Sequence, residues 1–256
     1  MPIGTIQKVT VVMRKSVLIL GGSSDISIAL AHKLASDGYN IQFVVRNITA
    51  IKRIERDIEL RYGVNVKSFY FDVLDMENID LFLDELPCLP IIVISAVGFL
   101  EREISIKDDV EIVRKVIDTN FTGPALFLEA AARRLSKLKT QTTVIGISSV
   151  AGDRGRNKNY WYGAAKSGLT SSLSAMRQKY YDSNLHVMTV CLGFVSTRMT
   201  EGLDLPKLLI SSPEDTADLI LHSLKKKRNI VYNWKWFVVM TIIKCIPEKI
   251  FKRLSF

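Results

Sequence analysis

The sequence predicts one α/β domain built on a doubly wound parallel sheet. Short apolar runs rich in Val and Ile alternate with helical patterns from residue 16 to about residue 191. The chain has 256 residues, of which 48% are apolar and 24% charged, as is usual for a globular domain with a buried core. Because helices cover both faces of such a sheet, its strands are nearly continuous apolar runs. The pattern is that of a Rossmann fold.

Six strands and five helices follow in strict alternation. The predicted strands are residues 16–20, 41–45, 67–71, 91–95, 143–147 and 186–191. The predicted helices are 26–36, 48–62, 76–85, 110–138 with a bend near Gly123-Pro124, and 160–180. We expect an N-terminal extension (1–15), a Rossmann-type domain (16–228) and an amphipathic C-terminal segment (229–256). Residues 201–215, with two prolines, are expected to form a mobile connection or lid.

Charge is concentrated near the C-terminus. The net charge is +9, and residues 225–256 hold nine Lys or Arg but only one acid, Glu248. A nucleic-acid surface would spread its charge over a face of the domain, so no nucleic-acid partner is predicted. The same segment carries Trp234, Trp236, Phe237 and Phe251, which favours an anionic membrane surface. A helix packed on the domain or on a second subunit is the alternative.

Cysteine and histidine usage points away from disulfides and metals. Cys88, Cys191 and Cys245 are few, odd in number and widely spaced, which is typical of a reducing compartment. The three histidines have no metal-ligand spacing. The N-terminus does not resemble a signal peptide, and no apolar stretch is long enough to span a bilayer. We therefore expect a cytoplasmic protein, with a peripheral position on the cytoplasmic membrane face as a variant.

The first strand is followed by a turn of small residues, after which a helix begins. Its sequence is Gly21-Gly22-Ser23-Ser24-Asp25-Ile26-Ser27. Exposed backbone N–H groups and the positive end of a helix dipole bind phosphate, so Gly21, Ser23, Ser24 and Ile26 are candidate pyrophosphate ligands. Two of the usual three glycines are missing, and an ordinary strand-to-helix turn is the alternative.

The ends of the next strands carry candidate adenosine ligands. Where an acid would bind the ribose of NAD, the chain has Arg46-Asn47, which favours the 2′-phosphate of NADP(H) over NAD(H). A solvated surface arginine is the alternative for Arg46. Asp72 and Val73 are expected against the adenine, and three further candidates beside the adenosine ribose follow the fourth strand: Ala96, Val97 and Gly98.

The clearest chemical signal is Tyr162-Gly-Ala-Ala-Lys166. Residues i and i+4 share a helix face, so the phenol and the ammonium group are expected side by side. A nearby cation lowers the pKa of a phenol, and this predicts a reactive Tyr162. Ser149 follows the fifth strand and could hold a substrate carbonyl, while Asn120 could hold a water that connects Lys166 to solvent.

These motifs, in this order, resemble the short-chain dehydrogenase/reductase family over about residues 16–200. The resemblance implies a catalytic tetrad of Asn120, Ser149, Tyr162 and Lys166, with Tyr162 as general acid in reduction. It also implies that Lys166 holds the nicotinamide ribose and that Val195 and Thr197 contact the carboxamide. The chain departs from the family pattern at a few positions, namely Asp25, Ser27, Ser95, Ala96 and Leu192. Asp25 would have to point away from the pyrophosphate.

Further segments resemble one branch of that family. They are Val97-Gly-Phe-Leu, Ser148-Ser-Val-Ala-Gly-Asp-Arg, Ser196-Thr-Arg-Met and Ile246-Pro-Glu-Lys-Ile-Phe-Lys-Arg-Leu254. They are similar to the decaprenylphosphoryl-2-keto-ribose reductase branch. That similarity implies reduction of a lipid-linked keto-sugar at a membrane face beside a flavin oxidase partner, and the family implies a homo-oligomer. A non-catalytic NADP-binding or scaffold subunit is the alternative function.

Overall fold

A computed structural model describes residues 15–100 and 109–254 of the chain. In these residues seven parallel strands form one sheet in the order β3-β2-β1-β4-β5-β6-β9. The strands are β1 (Ser16–Leu20), β2 (Asn40–Val45), β3 (Val66–Tyr70), β4 (Ile92–Ser95), β5 (Thr142–Ser149), β6 (Leu185–Leu192) and β9 (Ile230–Tyr232). A two-stranded pair, β7 (Phe194–Val195) and β8 (Ile210–Ser211), lies outside this sheet. The predicted N-terminal extension lies outside the described residues, apart from its last residue.

Helices connect the strands. They are α1 (Asp25–Ser36), α2 (Ile48–Tyr62), α3 (Ile79–Asp84), α4 (Val110–Ile117), α5 (Gly123–Leu135), α6 (Tyr160–Lys179), α7 (Pro213–Lys225), α8 (Trp234–Cys245) and α9 (Glu248–Phe251). A π-helical turn, Asp118–Thr122, joins α4 to α5 where the sequence predicts a bend. Short 3-10 turns precede α3 and α6. The predicted doubly wound sheet is confirmed.

Alternation along each strand divides the core into two layers. Val17 and Ile19 of β1 face α1, α2 and α7, whereas Leu18 and Leu20 face α3, α5 and α6. All four side chains are buried. Both faces of β1 are therefore apolar, which is why its sequence is an uninterrupted hydrophobic run.

The order of the strands places a topological switch point at the carboxyl ends of β1 and β4. β1 pairs with β2 on one side and with β4 on the other, so the chain crosses over in opposite directions from β1. Ligands of open parallel sheets bind outside the carboxyl ends of the strands at this switch point. The turns after β1, β4 and β5 all lie at that end.

The C-terminal region is more regular than the sequence predicts. Residues 213–225 form α7, so the predicted lid is shorter than 201–215, and the three-residue β9 pairs with β6. Part of the segment after Arg228 thus belongs to the sheet itself. In α8, Trp236 and Met240 are buried in a small cluster with Val150 and Cys191. None of the helices in the described ranges is both long enough and apolar enough to span a bilayer.

Candidate active site

The turn after β1 packs directly on the end of β4. Gly21 has a φ of +78°, and a Cβ built on it would lie 3.0 Å from the Ala96 carbonyl carbon and the Val97 nitrogen. A residue with a side chain would be strained there and would push the two turns apart. Gly21, Ala96 and Val97 are therefore brought together, as expected for a cofactor site.

Two serine side chains stabilise this turn by hydrogen bonds. Ser24 is the N-cap of α1, and its hydroxyl accepts a hydrogen bond from the Ser27 backbone N–H at 3.1 Å. The fully buried Ser27 hydroxyl donates to the Gly21 carbonyl at 2.9 Å. Ser27, a departure from the family pattern, thus stabilises the turn from beneath.

The residues present fit a bound dinucleotide. Asp25 and Ile26 begin α1, and within the described part of the chain their N–H groups are not used by the hydrogen bonds of the turn. Such N–H groups bind phosphate. The buried hydroxyl of Ser95, at the end of β4, also has no hydrogen-bond partner among the described residues. These unused polar groups, at the start of α1 and at the end of β4, are consistent with a nucleotide bound between them.

The candidate adenosine ligands lie at the ends of β2 and β3. Arg46 and Asn47 are both exposed, and Asn47 is also the N-cap of α2, where it accepts from the Ala50 N–H at 3.2 Å. Asp72 accepts from the Leu74 N–H at 3.0 Å. A Cβ on Gly123 would lie 2.4 Å from the carbonyl oxygen of Val73, so α5 is pressed against this turn.

Tyr162 and Ser149 meet at the carboxyl end of β5. Tyr162 is half-buried, and its hydroxyl interacts with the Ser149 side chain, whose Oγ accepts from the Ala151 N–H at 3.1 Å. Burial raises the pKa of Tyr162, and the interaction with Ser149 opposes this shift. The expected lowering of the Tyr162 pKa by Lys166 is wrong for this structure, because burial dominates. The phenol is therefore protonated at neutral pH and suited to donate a proton.

Lys166 is buried beneath the same site. Its Nζ donates to the carbonyl oxygens of Val97 at 3.2 Å and Ile147 at 3.1 Å. The nitrogen also lies 5.9 Å from the centre of the Tyr162 ring. Burial lowers the pKa of Lys166 to about 8. The predicted Tyr162–Lys166 juxtaposition is present, and it is anchored to the turn after β4.

Asn120 occupies the π-helical turn and is fully buried. Its amide donates to the carbonyls of Phe99 at 2.7 Å and Val116 at 2.8 Å, and its Oδ1 accepts from the Phe99 N–H at 3.0 Å. This side chain holds the segment after β4, as Lys166 does through Val97. The expected water link from Asn120 to Lys166 stays a prediction: both amide N–H groups are used, and a water would bond to the second lone pair of Oδ1.

Close backbone packing positions Ser149 against α6. A Cβ on Gly152 would lie 2.6 Å from the Ser167 nitrogen, and one on Gly163 would lie 2.8 Å from the Ala151 oxygen. The buried Ser148 hydroxyl donates to the Lys166 carbonyl at 3.0 Å. The turn after β5 is therefore fixed on the helix that carries Tyr162 and Lys166.

The segment after β6 is held by its own hydrogen bonds. Val195 is buried in β7, and its carbonyl accepts from the Thr200 hydroxyl at 2.6 Å. The Thr200 Oγ1 also accepts from the Thr197 N–H at 3.1 Å. These bonds hold Val195 and Thr197 in one compact turn.

Long-range contacts add residues that sequence reasoning missed. The Asp25 carboxylate accepts from the Arg198 N–H at 2.9 Å, which joins the phosphate turn to the segment after β6. The Arg154 guanidinium donates to carbonyls at the C-terminal end of α8, and Trp236 lies over Gly193. No local sequence pattern indicates these pairs. Only Asp25, an acid in a loop that normally has small residues, indicates that a cation lies nearby.

Comparison with known proteins agrees with this geometry. The family profile described as short chain dehydrogenase matches residues 15–207. A 3-dehydrosphinganine reductase of Arabidopsis thaliana is 30% identical over 85% of this chain, which spans only 64% of that relative's length. A 3-oxoacyl-[acyl-carrier-protein] reductase of Chlamydia muridarum is 28% identical over 76% of this chain and 79% of its own.

Solved structures share the fold. A short-chain dehydrogenase from Sphingobium yanoikuyae in complex with NADPH superimposes with a TM-score of 0.79, at 20% identity, over 91% of this chain and 97% of its own. At that identity the likeness concerns the fold, and the family assignment depends on the matched profile. The chain belongs to the short-chain dehydrogenase/reductase family.

Proposed function

We propose that this protein is an NADPH-dependent oxidoreductase that reduces a ketone, with Tyr162 as the general acid. One arrangement carries the proposal. The Tyr162 hydroxyl interacts with Ser149 at the end of β5, the Lys166 nitrogen lies 5.9 Å from the centre of the Tyr162 ring, and Lys166 donates a hydrogen bond to the Val97 carbonyl. Val97 in turn packs against Gly21 of the phosphate turn. The proton-transfer residues and the candidate cofactor turn therefore lie at the same end of the sheet.

The proposed roles follow from this geometry. NADPH held in this site would supply the hydride that the carbonyl carbon of the substrate accepts. The Ser149 hydroxyl donates a hydrogen bond to the carbonyl oxygen, and Tyr162 transfers its proton to that oxygen, which completes the alcohol. Lys166 would hold the nicotinamide ribose hydroxyls and neutralise the charge that remains on the phenol. Asn120 keeps the segment after β4 in place. Val195 and Thr197 would contact the carboxamide.

The preference for NADP(H) over NAD(H) is proposed from Arg46. An exposed guanidinium directly after β2 can form charge-assisted hydrogen bonds with a 2′-phosphate. The adjacent Asn47, and Asp72 with Val73 at the next strand end, would line the adenosine. Gly21, Ser23, Ser24 and Ile26 would bind the pyrophosphate, while Ala96, Val97 and Gly98 would contact the ribose.

The substrate is proposed to be a ketone on a long apolar carrier, with a polyprenyl-phosphate keto-sugar as the specific candidate. The motif resemblance supports the keto-sugar. The relatives are named as reductases of 3-dehydrosphinganine and of 3-oxoacyl chains, which supports the broader class. A flavin oxidase partner and a homo-oligomer belong to the same proposal.

An anionic membrane surface is proposed as the partner of α8 and α9. Several large apolar side chains of the C-terminal segment (residues 234–254) are exposed. The exposed ones are Trp234, Phe237, Val238, Ile242, Ile250 and Leu254. Lys249, Lys252 and Arg253 are exposed beside them. Aromatics with neighbouring cations suit the headgroup region of anionic lipid.

A non-catalytic scaffold subunit is the competing function. The departures at Asp25 and Ser27 would favour it if they abolished cofactor binding. Ser27 instead supports the turn, and Asp25 is paired with Arg198. NADPH titration separates the two functions: no binding at millimolar NADPH would favour the scaffold.

A substrate screen tests the proposal. NADPH oxidation is followed with small ketones, a polyprenyl-phosphate keto-pentose, 3-dehydrosphinganine and 3-oxoacyl thioesters, with and without anionic vesicles. We expect turnover of a long-chain or lipid-linked ketone that rises with vesicles. Turnover of small ketones alone would contradict the substrate class. Co-sedimentation unchanged in Phe237→Ser/Ile242→Ser, which alters only exposed side chains of α8, would contradict the membrane surface.

A further inference from the structure

An acidic residue stands inside the turn that is proposed to bind a pyrophosphate. Asp25 is the first residue of α1, two positions after Ser23. Its carboxylate accepts hydrogen bonds from the Arg198 backbone N–H at 2.9 Å and from Nε at 3.2 Å. The Arg198 guanidinium also donates to the Ser23 carbonyl. One arginine thus spans the turn from a segment 173 residues away in the sequence.

The carboxylate by itself would oppose cofactor binding. An aspartate in the first turn of a helix is stabilised by the helix dipole, but that dipole is also what attracts the phosphates. Two anions that share one helix terminus repel each other, and desolvation at this site strengthens the repulsion. A cation held on Asp25 removes most of this penalty.

We propose that Arg198 is an affinity-determining residue for the dinucleotide, which neutralises Asp25 and latches the segment after β6 over the phosphate turn. This inference depends on the proposed cofactor site. It explains how the chain tolerates an acid in place of a small residue. Because Thr197 and Val195 precede Arg198, the same ion pair fixes the residues proposed to meet the carboxamide.

The Asp25–Arg198 ion pair differs from an isolated surface ion pair. The Asp25 side chain is 29% exposed and Arg198 is 69% exposed, and such pairs usually contribute little to stability. An isolated surface pair would also leave cofactor affinity unchanged. Here the arginine contacts the turn at two points, the Asp25 carboxylate and the Ser23 carbonyl. The prediction therefore concerns NADPH affinity rather than the free energy of unfolding.

A double-mutant cycle tests the proposal. NADPH dissociation constants are measured by cofactor fluorescence for the wild type, Arg198→Ala, Asp25→Asn and the double variant. We expect Arg198→Ala to weaken binding about tenfold when Asp25 is present and less than about threefold when it is combined with Asp25→Asn. Lys207→Ala is the matched control, because it deletes another positive charge of the same segment. This variant should bind NADPH as the wild type does.

The outcomes are distinguishable. Equal weakening by Arg198→Ala in both backgrounds would mean that Arg198 does not act through Asp25, and no weakening would remove its role entirely. Either result overturns the inference while the proposed function stands. A wild type that binds no NADPH overturns the proposed function and the inference with it. A second readout is proteolysis within residues 197–209, which NADPH should slow in the wild type but not in Arg198→Ala.

Discussion

The ammonium nitrogen of Lys166 lies 3.2 Å from the carbonyl oxygen of Val97. This bond joins α6, which carries Tyr162, to the turn that packs against Gly21. One side chain thus connects the helix that carries the proton donor to the phosphate turn. Because Lys166 is buried in making this connection, its ammonium group carries a desolvation penalty.

Stability should therefore depend on pH through Lys166. Its pKa in the folded state is about 8, below the 10.5 expected for an exposed lysine. Between these values the unfolded state binds more protons, so stability relative to Lys166→Met should rise as pH increases from about 8 to 10.5. The full effect is on the order of 3 kcal/mol. Urea denaturation of both proteins across this pH range measures it, and a difference that falls with pH would contradict the assignment.

Gly193→Ala should displace α8. A Cβ at residue 193 would lie 1.9 Å from the Trp236 Nε1, which donates to the Leu209 carbonyl at 2.9 Å. We expect a loss of about 1–3 kcal/mol in the free energy of unfolding and a red-shifted tryptophan emission. Gly155→Ala is the control, since a Cβ there meets nothing within 4 Å. Equal effects of the two substitutions would be inconsistent with this packing.

Arg154 should hold the C-terminal segment (residues 234–254) against the turn after β5. Its guanidinium donates to the carbonyls of Ile243 and Ile246, pairs with Glu248 and stacks on the Phe251 ring at 3.8 Å. Arg154→Lys cannot reproduce this planar set of contacts, so proteolysis after residue 245 should accelerate and the KM for an amphiphilic ketone should rise. Glu248→Gln removes only the ionic contact and should change both quantities much less. Unchanged proteolysis in Arg154→Lys would exclude this role.

Cofactor preference should depend on Arg46. Arg46→Ala is expected to weaken NADPH binding by about tenfold or more and to leave NADH binding unchanged, because only NADPH carries a 2′-phosphate. Fluorescence titration with both nucleotides measures the ratio. Parallel losses for NADPH and NADH would indicate a general effect on the site instead.

Much of the fold was predictable because buried parallel strands leave apolar runs in the sequence. β9 was missed because its three residues follow a run of cations and gain their position from pairing with β6. The Ser149, Tyr162 and Lys166 spacing was visible, since helix periodicity determines which side chains share a face. The pKa direction of Tyr162 was not visible, because it depends on burial by the surrounding chain.

The central claim is that Tyr162 donates the proton during ketone reduction beside bound NADPH. The most direct measurement compares NADPH binding and single-turnover NADPH oxidation in the wild type and Tyr162→Phe, using a ketone that the wild type reduces. We expect binding within about twofold of the wild type and a rate lower by about 10²–10⁴-fold. Undiminished oxidation by Tyr162→Phe would contradict the account.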